Sequence, residues 1–562
     1  MKKIVLVQPN MGGYLGGVVV HPPLSLLYAS AHLVKADYEV QIIDARVDEQ
    51  WTMTLKNVLS QGNVLMMGCT VMSGSPIIDS LQASVISQQC KVPVIWGGAH
   101  PTCLAEETIA DSRIDYVIKG NGSESFLALA ECLVNKVPEK LSYVPGLYYK
   151  KEGKIFNNPI NNSFEVMDWH DIPYYLIKDY SVYHQLDHDD IILPIYSVYG
   201  CPYKCSFCIS PARYQDIRKK WVTLPAEDVA DHIQYLQKEF GATYIYFYDE
   251  DSFVNLKHIG GIIEALKKRQ IKIKLGFRGA RINEIKKMDD EYISNIVDMG
   301  TQIMHIGLES GSQRILDIFL KHISPKEILD VNKKLAKNQD IQAFYNWIVG
   351  TPTETFEDLQ ATKNLLLQVV KDNPKAIIPR PNMFVPLPST PMFDMAVEEG
   401  YDPPKTLDEW ILLEQAVGDF KHPWMDKRCL SYIRLLDFGS LFMDRKVEKV
   451  TSGGTLFFKF ARLVTFLYYP IIMFRLKHDL HQFFIEYYVF RTLEIVDRGF
   501  RLFKLKLLNR KLSKVSWLDK QSNDIMAGEA ARILTSNDDA STNHSTEVIK
   551  SKTEPSVEQV TR

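Results

Sequence analysis

Short apolar runs alternate with amphipathic stretches along the first 395 residues, in two series parted by a turn-rich segment, and few folds accept that pattern. In the first series 4–7, 40–43, 64–67, 92–96 and 116–118 read as strands, with helical patterns such as 24–34, opened by Pro22-Pro23, between them. Strand and helix in alternation predict a parallel, doubly wound sheet, which binds ligands beyond the carboxyl ends of its strands. Glycines cluster at those ends: Gly12-Gly13 and Gly16-Gly17, Gly68 and Gly74, Gly97-Gly98, Gly120 and Gly122. Small residues there let backbone approach a ligand, although glycine-rich loops alone name no cofactor.

At 562 residues, 46% hydrophobic and 24% charged, the chain has the composition of a soluble globular protein of two to four domains. A net charge of -3 offers no general attraction to nucleic acid. Eight cysteines, three in one array and five scattered, make no disulfide framework and predict a reducing, cytoplasmic compartment. The apolar run after Met1-Lys2-Lys3 stops at Gln8-Pro9-Asn10, too short for a signal peptide, and reads as a first strand.

The array is Cys201, Cys205 and Cys208, spaced C-x3-C-x2-C in a loop after the apolar run 191–198. Three thiolates this close can hold three irons of a [4Fe-4S] cube and leave the fourth without a protein ligand. An iron with an open site can bind a small molecule and pass an electron into it. The competing reading, a zinc knuckle, calls for a fourth ligand from a second Cys or His pair. No such pair stands nearby.

The spacing, with Phe207 before the last cysteine, resembles that of the radical S-adenosylmethionine (SAM) superfamily. The resemblance implies that the open iron chelates SAM, that reductive cleavage yields a 5'-deoxyadenosyl radical, and that Phe207 lies against the adenine. The second series, 244–248, 273–277, 304–306, 344–349 and 382–385 together with 191–198, gives six strands, as in a partial (βα)6 barrel. Polar groups stand at the ends of these strands. By the same resemblance Asp249 falls where related enzymes hold the methionine amino group, Arg281 near SAM, and Glu309 and Ser310 in the Gly307-to-Ser312 loop against SAM.

With such an array downstream, the first domain resembles the cobalamin-binding domain of B12-dependent radical SAM enzymes. The carriers are Pro22 to Ala31, Trp96 to Pro101 and Ile118 to Glu124. Thr70 and Met72 stand where these domains carry Ser-x-Leu, and Gly97 and Gly98 where a Gly-Gly fits the nucleotide tail; Gly120 and Gly122 belong to the third contact loop. Two departures matter. The loop after strand one lacks the Asp-x-His-x-x-Gly whose histidine ligates cobalt, and the acidic Gly-Glu-Gly-Glu loop is here Gly120-Asn121-Gly122-Ser123-Glu124. His21 and His100 read as structural histidines before cobalt ligands. Cys69, Cys90, Cys103 and Cys132 read as small buried residues before a second cluster.

The expected organisation is a Rossmann-like cobalamin domain at 1–140, a Pro- and Asn-rich connector at 141–190, the barrel at 191–395, a helical region at 396–520 and a disordered tail at 521–562. The helical region is basic and aromatic, with an uncharged run at 463–474 too short to span a bilayer. It reads as a cap over the barrel and an apolar substrate, with a face resting on an anionic membrane as the competing reading.

The resemblance implies a C-methyltransferase acting on an unactivated carbon of a small molecule, served by an electron donor such as flavodoxin or ferredoxin, and the aromatic C-terminal region hints that the substrate is apolar. One SAM would methylate the corrinoid and a second would supply the radical. A cyclase or rearrangement enzyme would use the same machinery. tRNA methylthiolation is disfavoured because no basic RNA-binding β-barrel follows the core. A cobalamin sensor with an inert barrel is disfavoured by the intact cysteines and Glu309.

Overall fold

The structure is a computed structural model and describes residues 2–10, 21–183, 190–337, 340–411, 413, 422–444, 456–489 and 492. The loop after strand one and the tail at 521–562 lie outside the described residues.

Five parallel strands, β1 (Lys3–Gln8), β2 (Glu39–Asp44), β3 (Val64–Thr70), β4 (Val94–Gly97) and β5 (Tyr116–Ile118), pair in the order β2-β1-β3-β4-β5. Every residue of β1 is buried, as a central strand covered on both faces must be. The helices Trp51–Leu59, Pro76–Gln89 and Ala105–Ala110 enclose one core with Val5, Val7, Met67 and Trp96. Leu24–Lys35 and Ser123–Asn135 enclose another, with Ile4, Leu6 and Met66, on the opposite face. The connector begins by extending this sheet. Strands β6 (Leu147–Lys151) and β7 (Lys154–Asn157) add antiparallel beyond β5, joined by Glu152-Gly153 at φ of 52° and 76°, the two positive φ values of a type I' hairpin turn.

The second sheet is a parallel half-barrel. Strands β8 (Ile192–Ile195), β11 (Tyr244–Phe247), β12 (Lys274–Arg281), β13 (Thr301–Glu309), β14 (Gln342–Val349) and β15 (Asn382–Met383) run in that order and curl through 205°. The expected strand 191–198 is shorter. It ends at Ile195, and Val198–Gly200 (β9) turns aside to pair antiparallel with Trp221–Thr223 (β10). The reason is local: the backbone N–H groups of Ser197 and Val198 donate to the Asp249 carboxylate instead of a strand.

Alternation along the half-barrel strands separates two environments. Ile245, Phe247, Leu275, Phe277, Met304, Ile306, Ala343 and Tyr345 face the helices and are buried. Tyr246, Tyr248, Arg278, His305, Phe344 and Asn346 point the other way and keep accessible surface. The inside of the curl is therefore a lumen, not a packed core.

The region after the barrel does more than cap it. The helix Lys427–Met443 lies on Phe356–Asp372, and its Asp437 accepts two bonds, at 2.7 and 2.6 Å, from Arg380 in the segment just before β15. The turn Leu407–Trp410 instead returns to the first domain, where Leu407, Trp410 and Leu413 complete the core around Trp96. The uncharged run at 463–474 falls within the helix Leu456–Lys477, on which Phe466, Leu467, Ile471 and Phe474 are exposed. Among the described residues no helix is long and apolar enough to cross a membrane.

Candidate active site

The carboxyl edges of the two sheets face each other. The short helix Ala99–Cys103, leaving β4, packs against Ser210–Arg213, which directly follows the cysteine loop. Lys119, just past β5, reaches Asp216 at 3.4 Å.

Cys201, Cys205 and Cys208 lie together in that loop, none in a disulfide. Cys205 Sγ accepts from Arg281 Nη1 at 3.0 Å, and Cys208 Sγ accepts from the Ser210 N–H at 3.5 Å. Burial, before any charge effect, raises the Cys201 and Cys208 thiols above their ordinary range. They would stay protonated unless a metal took the place of the proton. The three sulfurs do not all lie within 4.8 Å of one another. One tetrahedral zinc ion, with bonds of about 2.3 Å, would draw them to about 4 Å. Three thiols on one loop, none in a disulfide, are the donor set of a cube in which each sulfur has its own iron.

Arg281, at the end of β12, lies 3.8 Å over the Tyr203 ring, donates from Nη2 to the Lys321 carbonyl at 3.3 Å, and buries an Nε with no partner. Phe207 packs edge-on to Phe319 at 4.9 Å. Glu309, at the end of β13, adopts φ of 64°, a left-handed conformation that a buried non-glycine residue holds only when its surroundings impose it. Its carboxylate pairs with Lys321 Nζ at 2.9 Å, and both side chains are under one tenth exposed. Gly307 makes room for it, since a Cβ there would strike the Glu309 carboxylate. Ser310 is fully buried, bonded to Thr362 Oγ1 at 3.1 Å and accepting from the Ser312 N–H, so its hydroxyl is spent within the loop.

The three acids after β11 have different fates. Asp249 is fully buried and accepts from Ser197 N and Oγ, Val198 N and Ser252 Oγ at 2.7 to 3.0 Å. Its oxygens are occupied, and it holds the entry to the cysteine loop where the sequence suggested a SAM contact. Burial raises its carboxyl to about 6 against those bonds. Glu250 accepts from Tyr214 OH at 2.6 Å and Arg213 Nη1 at 3.2 Å and buries a second oxygen without a partner. Asp251 is buried near Glu284, and burial first, then that neighbour, push its carboxyl well up.

On the first-domain edge Thr70 closes β3 and Met72 is 37% exposed. Gly98 has φ of 102°, and a Cβ on it would meet Val71 N at 2.7 Å; this glycine lets the loops after β3 and β4 touch. Gly97 has open space, its nearest neighbour being the Ile118 carbonyl at 3.9 Å. Gly120, at φ of 85°, faces Ile160 of the connector, and Gly122 caps the helix Ser123–Asn135. The open side of Gly97 beside Thr70 and exposed Met72 is a surface that a corrinoid fits.

His100 is fully buried, bonded to Ser73 Oγ at 2.9 Å and covered by Trp410; burial lowers it to about 4. It is structural. His21 instead stacks on Tyr246 of the half-barrel at 5.0 Å, its carbonyl held by Arg46 Nη2 at 2.9 Å, and burial lowers it to about 3. Tyr28 meets Tyr196 edge-on at 5.5 Å. The first domain thus closes the lumen. Of the scattered cysteines, Cys69 and Cys132 are buried, while Cys90 and Cys103 are only half-buried.

Sequence reading missed Lys321, His21's place in the lumen and the inward set on the strands. The period of two on β11 to β14 carried the last of these, since Tyr246, Tyr248, Arg278 and His305 are the polar or aromatic alternates.

Residues 195–366 match the family model of the Radical SAM superfamily, and residues 18–130 match that of the B12 binding domain. The chain is 28% identical over 366 residues to an uncharacterized methyltransferase of Pyrococcus horikoshii, covering 64% of this chain and 76% of that protein. It is 24% identical over 454 residues to the anaerobic magnesium-protoporphyrin IX monomethyl ester cyclase of Cereibacter sphaeroides, covering 76% and 71%. The fold is shared with OxsB, a cobalamin-dependent S-adenosylmethionine radical enzyme solved with aqua-cobalamin and S-adenosylmethionine, at TM-score 0.63 and 16% identity over 89% of this chain and 75% of that one. The half-barrel with its three-cysteine loop is that of a radical SAM enzyme. More narrowly, the chain belongs to the radical SAM enzymes that carry a B12-binding domain, with a [4Fe-4S] cluster, SAM and cobalamin as cofactors.

Proposed function

We propose that this chain is a C-methyltransferase that transfers a methyl group to an unactivated carbon of a small-molecule substrate, with a low-potential electron carrier such as flavodoxin or ferredoxin as its reductant. The carrying observation is that the cysteine loop and the cobalamin-domain edge open toward each other across one lumen closed by His21 and Tyr28. When bound, the cofactors supply a one-electron cleavage of SAM and a transferable methyl group.

The chain's own residues position and shield. Cys201, Cys205 and Cys208 would hold the cluster, with Arg281 donating to the Cys205 sulfur. Glu309, fixed by Lys321, faces the same region and would take the amino end of SAM, while Phe207 would flank the adenine. Thr70, Met72, Gly97 and Gly98 would border the corrinoid, and Gly120 and Gly122 would keep the third loop open beside it. The tyrosines that line the lumen would limit the access of water to the bound substrate. None of these roles needs a side-chain base at the reacting carbon.

Ring closure is the second reading, favoured by the resemblance to the cyclase over 76% of this chain. Anaerobic reconstitution with iron, sulfide, cobalamin and SAM, followed by incubation with a low-potential reductant and extract of a strain lacking the gene, separates the two. A product heavier by one methyl group supports methyl transfer, whereas a product lighter by hydrogen supports ring closure. Retention of iron and of 5'-deoxyadenosine release after Cys201→Ala, Cys205→Ala or Cys208→Ala would end both.

A further inference from the structure

Three residues before Arg281 on the same strand, Arg278 projects into the lumen. It keeps exposed area, yet it stands inside the curl, over the Tyr248 ring at 4.6 Å and within reach of Tyr196, Tyr246, His21 and His305. Its accessible area lies inside the curl, and although burial disfavours its charge, the neighbouring tyrosines and Glu250 more than offset this and hold its pKa above the ordinary value. Among the described residues no carboxylate, carbonyl or hydroxyl pairs with it. Glu250, the carboxylate whose field reaches it, takes both of its bonds, from Arg213 and Tyr214, on Oε1, and neither of its oxygens bonds Arg278. Most other interior cations here have a partner: Lys321 has Glu309, Arg46 has Asp44 and Arg213 has Glu250. A guanidinium with no hydrogen-bonded counter-anion, set among aromatic rings, is free to take one, and its fork geometry suits a carboxylate or phosphate. The walls around it are flat and apolar: His21 stacks on Tyr246, and His305 lies 4.4 Å from Phe344 and 6.0 Å from Tyr246. Burial keeps both histidines neutral, so they offer surface and do not compete for the anion.

We infer that Arg278 binds an anionic group, carboxylate or phosphate, of a substrate with a flat unsaturated body held between the aromatic walls of the lumen. This names the substrate class of the reaction proposed above and rests on that reading only in calling the ligand the substrate.

The test uses the holoenzyme and three probes of one shape, benzoate, phenyl phosphate and neutral benzamide, with binding followed by ligand-detected NMR and calorimetry without turnover. Wild type should bind benzoate or phenyl phosphate at least tenfold tighter than benzamide, and the tighter of the two identifies the anion. Arg278→Gln should erase the preference and Arg278→Lys should keep part of it, while SAM retention and cobalamin content stay at the wild-type level. The inference is overturned if wild type does not distinguish the anions from benzamide, or if the preference survives in Arg278→Gln. It is also overturned if SAM or cobalamin is lost together with the anion, which would give Arg278 to a cofactor. Because no product is measured, an enzyme that discriminates the probes yet methylates nothing would sink the proposed reaction and leave this site standing.

Discussion

Arg281 donates to the sulfur of Cys205 at 3.0 Å from 76 residues further along the chain, so one of the three thiols proposed to hold the cluster is fixed by β12 as well as by its own loop. Hydrogen bonds to sulfur tune cluster potentials. Replacing the cation by Arg281→Gln should lower the cluster midpoint by about 50–100 mV, the one-electron equivalent of about 1–2 kcal/mol. A redox titration followed by EPR reads this directly, and an unmoved midpoint would mean that the guanidinium does not act on the cluster.

Glu309 and Lys321 form a pair less than one tenth exposed on either side. Removing one partner strands the other charge. Lys321→Met should therefore destabilise the protein by about 3–5 kcal/mol, and Lys321→Met with Glu309→Gln should recover most of it. Urea denaturation of the single and double variants measures the difference. Recovery of stability without recovery of SAM binding would assign Glu309 to the cofactor as well as to the fold.

Gly97 and Gly98 are neighbours with opposite requirements. Gly98→Ala forces a Cβ onto Val71 N at 2.7 Å in a left-handed backbone and should cost about 1–3 kcal/mol. Gly97→Ala meets open space and should change stability by less than about 0.5 kcal/mol while reducing cobalamin content, provided the corrinoid uses that space. Thermal melts of the apoprotein together with cobalamin quantification separate the two effects.

His232 is buried, bonded to Tyr174 OH at 2.9 Å, and burial lowers it to about 3. Unfolded, it titrates near 6.5, so between these values the unfolded chain binds a proton that the folded one refuses, and stability falls as pH drops below about 6.5. At pH 5.5 this amounts to about 1 kcal/mol. His232→Gln should lose that dependence, so its deficit against wild type should shrink by about 1 kcal/mol between pH 7.5 and 5.5. A deficit independent of pH would show that folding leaves the imidazole's pKa unshifted. Asp249 works oppositely, because its raised carboxyl favours the folded state as pH falls from about 6 toward 4, so the single-residue comparison is the informative one.

The first sheet, the six half-barrel strands, the cysteine loop and the acids at the strand ends are all local patterns, set by side-chain period and short spacing. Those patterns alone placed the three cysteines in one loop and located the two carboxyl edges. What chain order could not carry was which groups meet across distance. Asp249 and Glu309 are both acids just after a strand, yet four hydrogen bonds saturate the first, while the second takes up a buried lysine and a left-handed backbone. Trp410 reads as part of a cap and instead completes the first domain's core. His21 reads as a loop residue and becomes the lid on Tyr246. Periodicity records which face of an element is apolar. Only the packed structure decides which charged groups lose their water together, and so which are spent on the fold and which, like Arg278, are left for a ligand.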